Sequence, residues 1–397
     1  MTAAIEFRDI DVVFSDDPAR ALSLLDQGKT RDEIAAQARA VVGCANVSLS
    51  IQPGEISVLM GLSGSGKSTL LRTVNRLNAP TRGKVLVNGS DGLVDTARCD
   101  EKRLRAIRRN DVAMVFQQFA LLPWRTVADN VALGLEFSGL PQRQRRERVE
   151  EQLDLVGLTQ WREKYAHELS GGMQQRVGLA RALATHAPIL LMDEPFSALD
   201  PLIRAKLQDD LLDLQNRLKK TILFVSHDLD EALKLGNRIS IMQDGRLIQN
   251  GAPEEIVLSP ANDYVREFIA SVNPLSFLTA WNIMTDWRDL DAENDRLWLD
   301  TAHRAFVSLD IDRRIEAAKL DGDAATIIPC DVDPQEWPAA PGIFVATPET
   351  SLRKVVLAMH HAGAAPIAIM DRDNRLMGAV SIEAVLKAIV RRETRGG

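Results

Sequence analysis

The chain has 397 residues, of which 45% are hydrophobic and 26% charged, an ordinary globular composition that allows two or three domains. Its net charge of −7 argues against nucleic acid as the main ligand, and three scattered cysteines without a C-x-x-C pair argue against a metal site and suit a reducing compartment. Without an apolar run of about eighteen residues or a signal-peptide core, the chain itself is expected neither to span nor to cross a membrane.

The first unusual feature along the chain is a helix-prone stretch between Asp16 and Val42. It contains the runs Ala-Leu-Ser-Leu-Leu and Glu-Ile-Ala-Ala-Gln-Ala-Arg-Ala. It follows a first strand region that includes Phe14 and precedes the apolar run Ile56–Met60. The pattern therefore predicts a helical insertion between two early strands.

The run Ile56–Met60 reads as a buried strand, and it leads into Gly-Leu-Ser-Gly-Ser-Gly-Lys-Ser at residues 61–68, the phosphate-binding pattern G-x-x-x-x-G-K-[ST]. The glycines let backbone N–H groups turn toward phosphate oxygens. Lys67 supplies a cation for the β- and γ-phosphates, and Ser68 offers a hydroxyl to Mg²⁺. A helix from Ser68 to about Leu77 is predicted to follow, with its positive end toward the anion.

A short apolar strand, Met114–Phe116, precedes Gln117, whose amide can contact Mg²⁺ or water. Residues 124–187 then look almost purely helical and are predicted to form a subdomain. Within it, the charged run Pro141–Gln152 is interpreted as a solvated helix face, with nucleic-acid binding as the alternative.

A second anion-binding element is predicted at Ser170-Gly171-Gly172, before a helix from about Met173 to Ala184. Backbone N–H groups, a hydroxyl and a helix N-terminus together favour an anion. Because one chain needs only one phosphate-binding element for its own nucleotide, the second element is predicted to face the nucleotide of another copy of the chain. Asp200 is expected where the two copies would meet.

Two continuous apolar runs, Ile189–Met192 and Thr221–Val225, are typical of strands buried on both faces of a mostly parallel sheet. Asp193 and Glu194 follow the first run, where an Asp can hold Mg²⁺ and a Glu can act as general base toward water. His227 follows the second run and can donate a hydrogen bond to the γ-phosphate. The intervening helical patterns indicate an α/β architecture.

The composition changes after about Asn273, and the last fifty or so residues are predicted as β-α-β-β-α. The predicted elements are strand Ile343–Ala346, helix Ser351–His361, strands Pro366–Met370 and Leu376–Val380, and helix Ser381–Ile389.

Taken in order, these motifs resemble those of the ATP-binding subunits of ABC transporters. The resemblance implies a P-loop NTPase fold of the ABC ATPase type over residues 1–272, with a helical subdomain at about 124–187. It also implies ATP and Mg²⁺ as cofactors and ATP hydrolysis coupled to transport. The C-terminal unit resembles a CBS domain, an α+β fold, at 341–393, and a degenerate CBS-like repeat is expected at 277–335.

The chain more narrowly resembles the glycine betaine/choline/proline betaine importers of bacteria. The shared features are the insertion, Met-Val-Phe-Gln-Gln-Phe-Ala-Leu-Leu-Pro, Phe-Ser-Ala-Leu-Asp-Pro-Leu-Ile-Arg and Ser-His-Asp-Leu-Asp-Glu-Ala. The stretch from Asp16 through Val42 looks closest to choline-type members. In CBS domains that bind adenosine nucleotides, an Asp often follows three residues after the last strand's Ser; here Ala384 stands there, so a structural or dimerising role is the alternative to ligand sensing.

The resemblance assigns site residues. Phe14 is implied to stack on adenine, with a place in the core as the alternative. Catalysis is assigned to Glu194, His227 and Gln117, and Mg²⁺ to Ser68, Gln117 and Asp193. The implied nucleotide-binding set is Gly61, Leu62, Ser63, Gly64, Ser65, Gly66, Lys67, Ser68 and Thr69 of one chain, with Ser170, Gly171, Gly172 and Asp200.

The implied partners are a second copy of the chain, two transmembrane permease subunits and, indirectly, a periplasmic or lipid-anchored substrate-binding protein, with no nucleic acid. The implied location is peripheral, on the cytoplasmic face of the inner membrane. The alternatives are an importer ATPase for another amine or an amino acid, a soluble ABC ATPase of DNA repair or translation, and a sensor that acts chiefly through its C-terminal domain.

Overall fold

The computed structural model describes residues 2–390 except 91, 117–119, 138, 198, 271, 272, 274, 276, 294, 295 and 339–341. The chain divides into two compact units, Met1–Ile256 with Pro260–Phe268, and Val257–Ser259 with Ile269–Gly397. No helix among the described residues has both the length and the apolar character needed to cross a membrane.

Residues up to 268 contain both strands and helices. In chain order they are β1 (Ile5–Phe14), α1 (Pro18–Asp26), α2 (Arg31–Ala38), β2 (Val41–Ile51), β3 (Ile56–Met60), α3 (Lys67–Thr73), β4 (Arg82–Gly89), β5 (Gly92–Asp95), α4 (Glu101–Asn110), β6 (Val112–Val115), α5 (Val127–Glu136), α6 (Gln142–Leu155), α7 (Gly171–Ala184), β7 (Ile189–Asp193), α8 (Pro201–Leu218), β8 (Thr221–Val225), α9 (Leu229–Leu235), β9 (Arg238–Gln243), β10 (Arg246–Gly251), α10 (Pro253–Leu258) and α11 (Asp263–Phe268).

The central sheet of the first unit has the strand order β10-β9-β3-β8-β7-β6. Strands β6, β7, β8, β3 and β9 are parallel, and β10 pairs antiparallel at one edge. Every residue of β3, β7 and β8 is buried, as expected for parallel strands covered on both faces. The predicted α/β architecture is confirmed. Because β3, β7 and β8 are parallel, the loops that follow them all lie at the C-terminal ends of the sheet's strands.

The predicted helical insertion is also confirmed, because α1 and α2 lie between β1 and β2 in the antiparallel sheet β2-β1-β4-β5. Ala21, Leu25 and Ile34 of the two helices are buried together with Val13 and Val42. A capping box at Thr30 starts α2, which gives its first turn a defined position.

Helices α5, α6 and α7 enclose a separate apolar core that includes Val131, Leu153 and Val177. The charged run predicted between 141 and 152 lies in α6, which buries only Val149, Gln152 and Leu153. Most of that charge is therefore a solvated helix face. Helix α3 is shorter than predicted, since it ends at Thr73 and Arg76 takes a left-handed conformation (φ 53°) that no helix continues through.

The second unit contains α12 (Ala280–Ile283), β11 (Thr285–Asp286), β12 (Ala292–Glu293), β13 (Arg296–Trp298), β14 (Ala305–Leu309), β15 (Ile315–Leu320), β16 (Asp323–Ala324), β17 (Thr326–Pro329), β18 (Gly342–Ala346), α13 (Leu352–His361), β19 (Ile367–Met370), β20 (Leu376–Val380) and α14 (Ile382–Val390). The order β18-α13-β19-β20-α14 confirms the predicted β-α-β-β-α pattern. By contrast, β12 to β16 form a separate antiparallel sheet, so the described part of 292–324 is built from strands and turns without a helix.

Candidate functional site

Strand β3 runs directly into a loop, residues 61–66, in which Gly61 and Gly66 occupy positions that no side chain fits. Gly61 has φ 140°, and a Cβ built on it would lie 2.1 Å from the carbonyl oxygen of Met242. Gly66 has φ 102°, and its Cβ would lie 2.2 Å from the carbonyl oxygen of Gly43. Backbone packed this closely holds the loop in the turned conformation that presents N–H groups to an anion. Leu62, Ser63 and Gly64 lie exposed on the loop, while Ser65 is buried.

Lys67 is the buried cation of the site, at 4% exposure. Its Nζ donates to the carbonyl oxygens of Gly61 at 2.8 Å and Leu62 at 3.0 Å. Burial lowers the pKa of the Lys67 ammonium, while the nearby carboxylates Glu194 and Asp193 act to raise it. A desolvated ammonium held by two carbonyls inside a loop of N–H groups is suited to bind phosphate oxygens.

Ser68 and Asp193 meet at the start of α3, where Ser68 Oγ donates to Asp193 Oδ1 at 2.6 Å. A hydroxyl and a buried carboxylate are hard oxygen ligands of the type Mg²⁺ prefers, so this pair fits the metal. The structure adds Arg72, whose Nη2 lies 2.8 Å from Asp193 Oδ2. Sequence reasoning missed Arg72, although its position four residues after Ser68 places both on one helix face.

Glu194 and His227 are brought together from the ends of two neighbouring strands. His227 Nδ1 lies 3.3 Å from Glu194 Oε2, and the Glu194 N–H donates to the Val225 carbonyl at 3.1 Å. Glu194 takes a left-handed backbone conformation with φ 47°, which turns the chain away from β7 at this point. The arrangement lets His227 orient the Glu194 carboxylate toward a water molecule. Gln117, the third predicted catalytic residue, lies outside the described residues.

The residues on either side of His227 are held by hydrogen bonds to polar side chains that the sequence did not identify. Ser226 Oγ donates to the buried Glu231 carboxylate, which also accepts from Gln208 Nε2 at 3.1 Å. Asp228 accepts from Arg204 Nη1 at 2.9 Å, and Arg204 Nη2 donates to the Leu199 carbonyl at 3.2 Å. Arg204 thus connects the segment beside Asp200 to the residue that follows His227.

Glu231, which accepts the hydrogen bonds from Ser226 and Gln208, makes the stability of the protein depend on pH. Burial raises the pKa of its carboxyl above the ordinary 4.5, against the opposing hydrogen bonds from Ser226 and Gln208. Its neutral form therefore contributes stability that is complete below the ordinary pKa and is lost as pH rises through the folded-state pKa. Glu231→Gln, which stays neutral, should gain thermal stability relative to the wild type as pH is raised from about 4 to about 8. Thermal unfolding of both proteins across that range measures this, and a pH-independent difference would contradict it.

The predicted second anion element lies at an exposed helix start. Ser170 caps α7 by accepting from the Met173 N–H at 3.4 Å, and no atom lies within 4 Å of a Cβ built on Gly171. Gln174 Nε2 fixes the preceding turn by donating to the carbonyls of Ala166 at 2.9 Å and Leu169 at 3.2 Å. The first turn of a 14-residue helix is thus left open to an anion from outside.

Two further predicted residues have defined positions. Asp200 caps α8 by accepting from the Ile203 N–H at 3.0 Å, and its side chain is exposed. Phe14 is 47% exposed at the end of β1, so its alternative place in the core is wrong. A Cβ built on Gly43 would lie 3.0 Å from Phe14 and 2.7 Å from the Thr69 methyl, which places this exposed ring close to the start of α3. The ring is available to a flat ligand group near the phosphate loop.

Comparison with known proteins agrees with this geometry. A family model described as ABC transporter matches residues 44–197, and a CBS domain model matches 339–391. The glycine betaine/proline betaine transport system ATP-binding protein ProV of Escherichia coli is 40% identical, with 100% of both chains covered. The glycine betaine transport ATP-binding protein OpuAA of Bacillus subtilis is 38% identical over 97% of this chain and 92% of its own length.

Among solved structures, the ATP-binding cassette MJ0796, determined as a dimer in a post-hydrolysis state with ADP and Pi, is 33% identical with a TM-score of 0.53. It covers 63% of this chain and 98% of its own. Fold and site together define the class of ABC-type ATPases with a C-terminal CBS domain. The chain belongs to the family of ABC transport ATP-binding proteins that includes ProV and OpuAA. The resemblance found in the sequence is confirmed, and ATP is the nucleotide of the site.

Proposed function

We propose that this chain is the ATP-hydrolysing subunit that energises import of a quaternary amine, choline or a betaine, through partner permease subunits. The observation that carries the proposal is the full-length similarity to transport proteins for glycine betaine and proline betaine. The grouping of Lys67, Asp193, Glu194 and His227 at one sheet edge supports the ATPase part independently.

In the proposed reaction, the loop at 61–68 and Lys67 bind the phosphates, and Phe14 stacks on adenine. Ser68 and Asp193, with Gln117, would hold Mg²⁺, which supplies positive charge to the phosphates as the bond breaks. Glu194 accepts the proton of the attacking water, and His227 keeps the carboxylate oriented toward it. Proton transfer to a positioned carboxylate is the step on which turnover depends.

Two copies of the chain would complete two such sites between them. The exposed start of α7 at Ser170, Gly171 and Gly172, with Asp200, would bind the nucleotide held by the partner's phosphate loop. The known dimer of a related cassette supports this arrangement. Closure would drive two permease subunits, and hydrolysis would reopen the pair.

The remaining assignments rest on the resemblance of the sequence to bacterial importers and are part of this proposal. The subunit would lie on the cytoplasmic face of the inner membrane, bound to its permease. A periplasmic or lipid-anchored protein would deliver the solute. The ATPase domain would comprise residues 1–272, and residues 277–335 and 341–393 a degenerate and a recognisable CBS-like repeat.

The test is ATPase activity of the complex, reconstituted in liposomes with its own permease and substrate-binding protein. Choline, glycine betaine or proline betaine should stimulate hydrolysis at least about tenfold above the basal rate, since substrate binding selects the closed state. Complexes with the Glu194→Gln variant give the background rate. Stimulation only by an amino acid such as histidine, or by a sugar, would refute the assignment of the solute. A wild-type chain without ATPase activity would refute the proposed function itself.

A further inference from the structure

The inserted segment, residues 16–42, contacts the phosphate loop through the side chain of Arg31. Arg31 is the first residue of α2, and its Nη1 donates to the carbonyl oxygen of Gly64 at 2.8 Å. Its Nη2 donates to the carbonyl oxygen of Val42 at the start of β2. The planar guanidinium thus holds two separate backbone segments with one rigid group.

The contact matters because of what a phosphate-binding loop requires. When its N–H groups turn inward to the anion, its carbonyls turn outward and need donors of their own. The Gly245 N–H donates a hydrogen bond to the Ser65 carbonyl at 3.0 Å, and the Leu70 N–H donates one to the Gly66 carbonyl at 2.9 Å. Arg31 donates to the Gly64 carbonyl in the same way, and like Gly245 it lies outside the nucleotide motifs.

Of the three glycines in the loop, Gly64 is the one that no neighbouring backbone packs against. It is exposed, its φ is 77°, and no atom lies within 4 Å of a Cβ built on it. At Gly61 and Gly66, in contrast, neighbouring backbone packs directly against the loop. The Ser65 N–H closes the turn around Gly64 by donating to the Leu62 carbonyl at 3.1 Å, and the hydrogen bond from Arg31 holds the outward Gly64 carbonyl from the other side.

Arg31 is itself held firmly. The Thr30 capping box fixes the first turn of α2, and the buried Ile34 anchors the helix. Helix α1 is tied to the sheet separately, because Arg82 of β4 binds Asp26 with two contacts of 2.7 and 3.0 Å. The side chain of Arg31 is 27% exposed, so its hydrogen bonds form in a partly desolvated setting that strengthens them.

We propose that Arg31 is a positioning residue for nucleotide binding, which acts through the Gly64 carbonyl and makes the inserted segment a structural part of the ATP site. The inference deepens the proposed function and rests on it for ATP as the ligand. Arg31 sets the shape of the loop and does not contact the phosphates, so its loss should reduce affinity for ATP and ADP alike.

The experiment measures nucleotide affinity of the purified full-length chain by calorimetry, with MgADP and with MgATP in the Glu194→Gln background. Arg31→Ala should raise both Kd values about tenfold, the cost of about one charge-assisted hydrogen bond. Hydrogen exchange of the backbone amides at 61–68 should become faster. Arg31→Lys keeps the charge but has no fork for two carbonyls, so it should remain weaker than wild type; full recovery would show that only charge matters and overturn the proposal.

Asp26→Ala is the matched control, since it removes an ion pair that anchors the inserted segment without touching the phosphate loop. It should lower the melting temperature yet change the Kd by less than about twofold, as expected of a residue that shares no hydrogen-bond partner with Arg31. Equal losses of affinity in Asp26→Ala and Arg31→Ala, or wild-type affinity in Arg31→Ala, would refute the proposal. Because the isolated chain is used, failure of amine stimulation in liposomes would leave this result unaffected.

Discussion

Glu194→Gln should still bind ATP but hydrolyse it at least about a hundredfold more slowly than the wild type, as expected for loss of a general base. The amide keeps the size of the side chain but accepts no proton from water. Phosphate release at saturating MgATP measures turnover, and calorimetry with the same variant measures binding.

Lys67→Ala provides the contrasting variant for that experiment. It removes the buried cation that lies 2.8 Å from the Gly61 carbonyl, so nucleotide binding itself should weaken. Near-normal turnover of Glu194→Gln would mean that another group is the base. Equal loss of binding in both variants would mean that Glu194 acts in binding rather than in proton transfer.

Ser170→Arg should prevent ATP-driven dimerisation while ATP binding to the monomer survives. Ser170 is exposed at the start of α7, and a guanidinium at this position would have to fit within a closely packed interface. Overpacking of that kind costs about 1–3 kcal/mol, or about 5- to 150-fold in the dimer Kd. Light scattering with ATP in the Glu194→Gln background measures the change.

Gln160→Arg is the control for the positive charge that Ser170→Arg adds. Gln160 is also exposed and lies in the 124–187 region, but it is outside the anion-binding element at 170–172. It should dimerise as the Glu194→Gln parent does. If Ser170→Arg dimerises equally well, the start of α7 does not face a partner's nucleotide. If both variants fail, added positive charge rather than position explains the defect.

The sequence predicted those parts of the site that depend on local chemistry. The loop at 61–68 needs glycines at positions 61 and 66, and the fully buried strands β7 and β8 end at Asp193 and two residues before His227. Patterns of neighbouring residues were therefore enough to locate these parts of the site. The direct contact of Glu194 with His227 was not predicted; it arises because β7 and β8 are adjacent parallel strands.

The contacts that support the site could not be predicted in that way. Arg31 binds Gly64 across 33 positions, and Arg72 binds Asp193 across 121 positions. In each case the position of a whole helix decides which of the many arginines reaches the site. Composition and periodicity do not predict that position. The end of α3 was misjudged for a related reason, because the left-handed Arg76 has no local sequence signal such as glycine.

The close approach of α7 to α8 has a consequence for how a pair of subunits would respond to ATP. A Cβ on Gly172 would lie 3.0 Å from Ile203, so the first turns of the two helices pack without a gap. One residue further, Arg204 binds Asp228 beside His227. If a subunit engages its neighbour's nucleotide at Ser170 as proposed, the contact would therefore alter the surroundings of its own His227. The two sites would not turn over independently, and the rate of hydrolysis would rise with ATP concentration as a sigmoid, with a Hill coefficient above one.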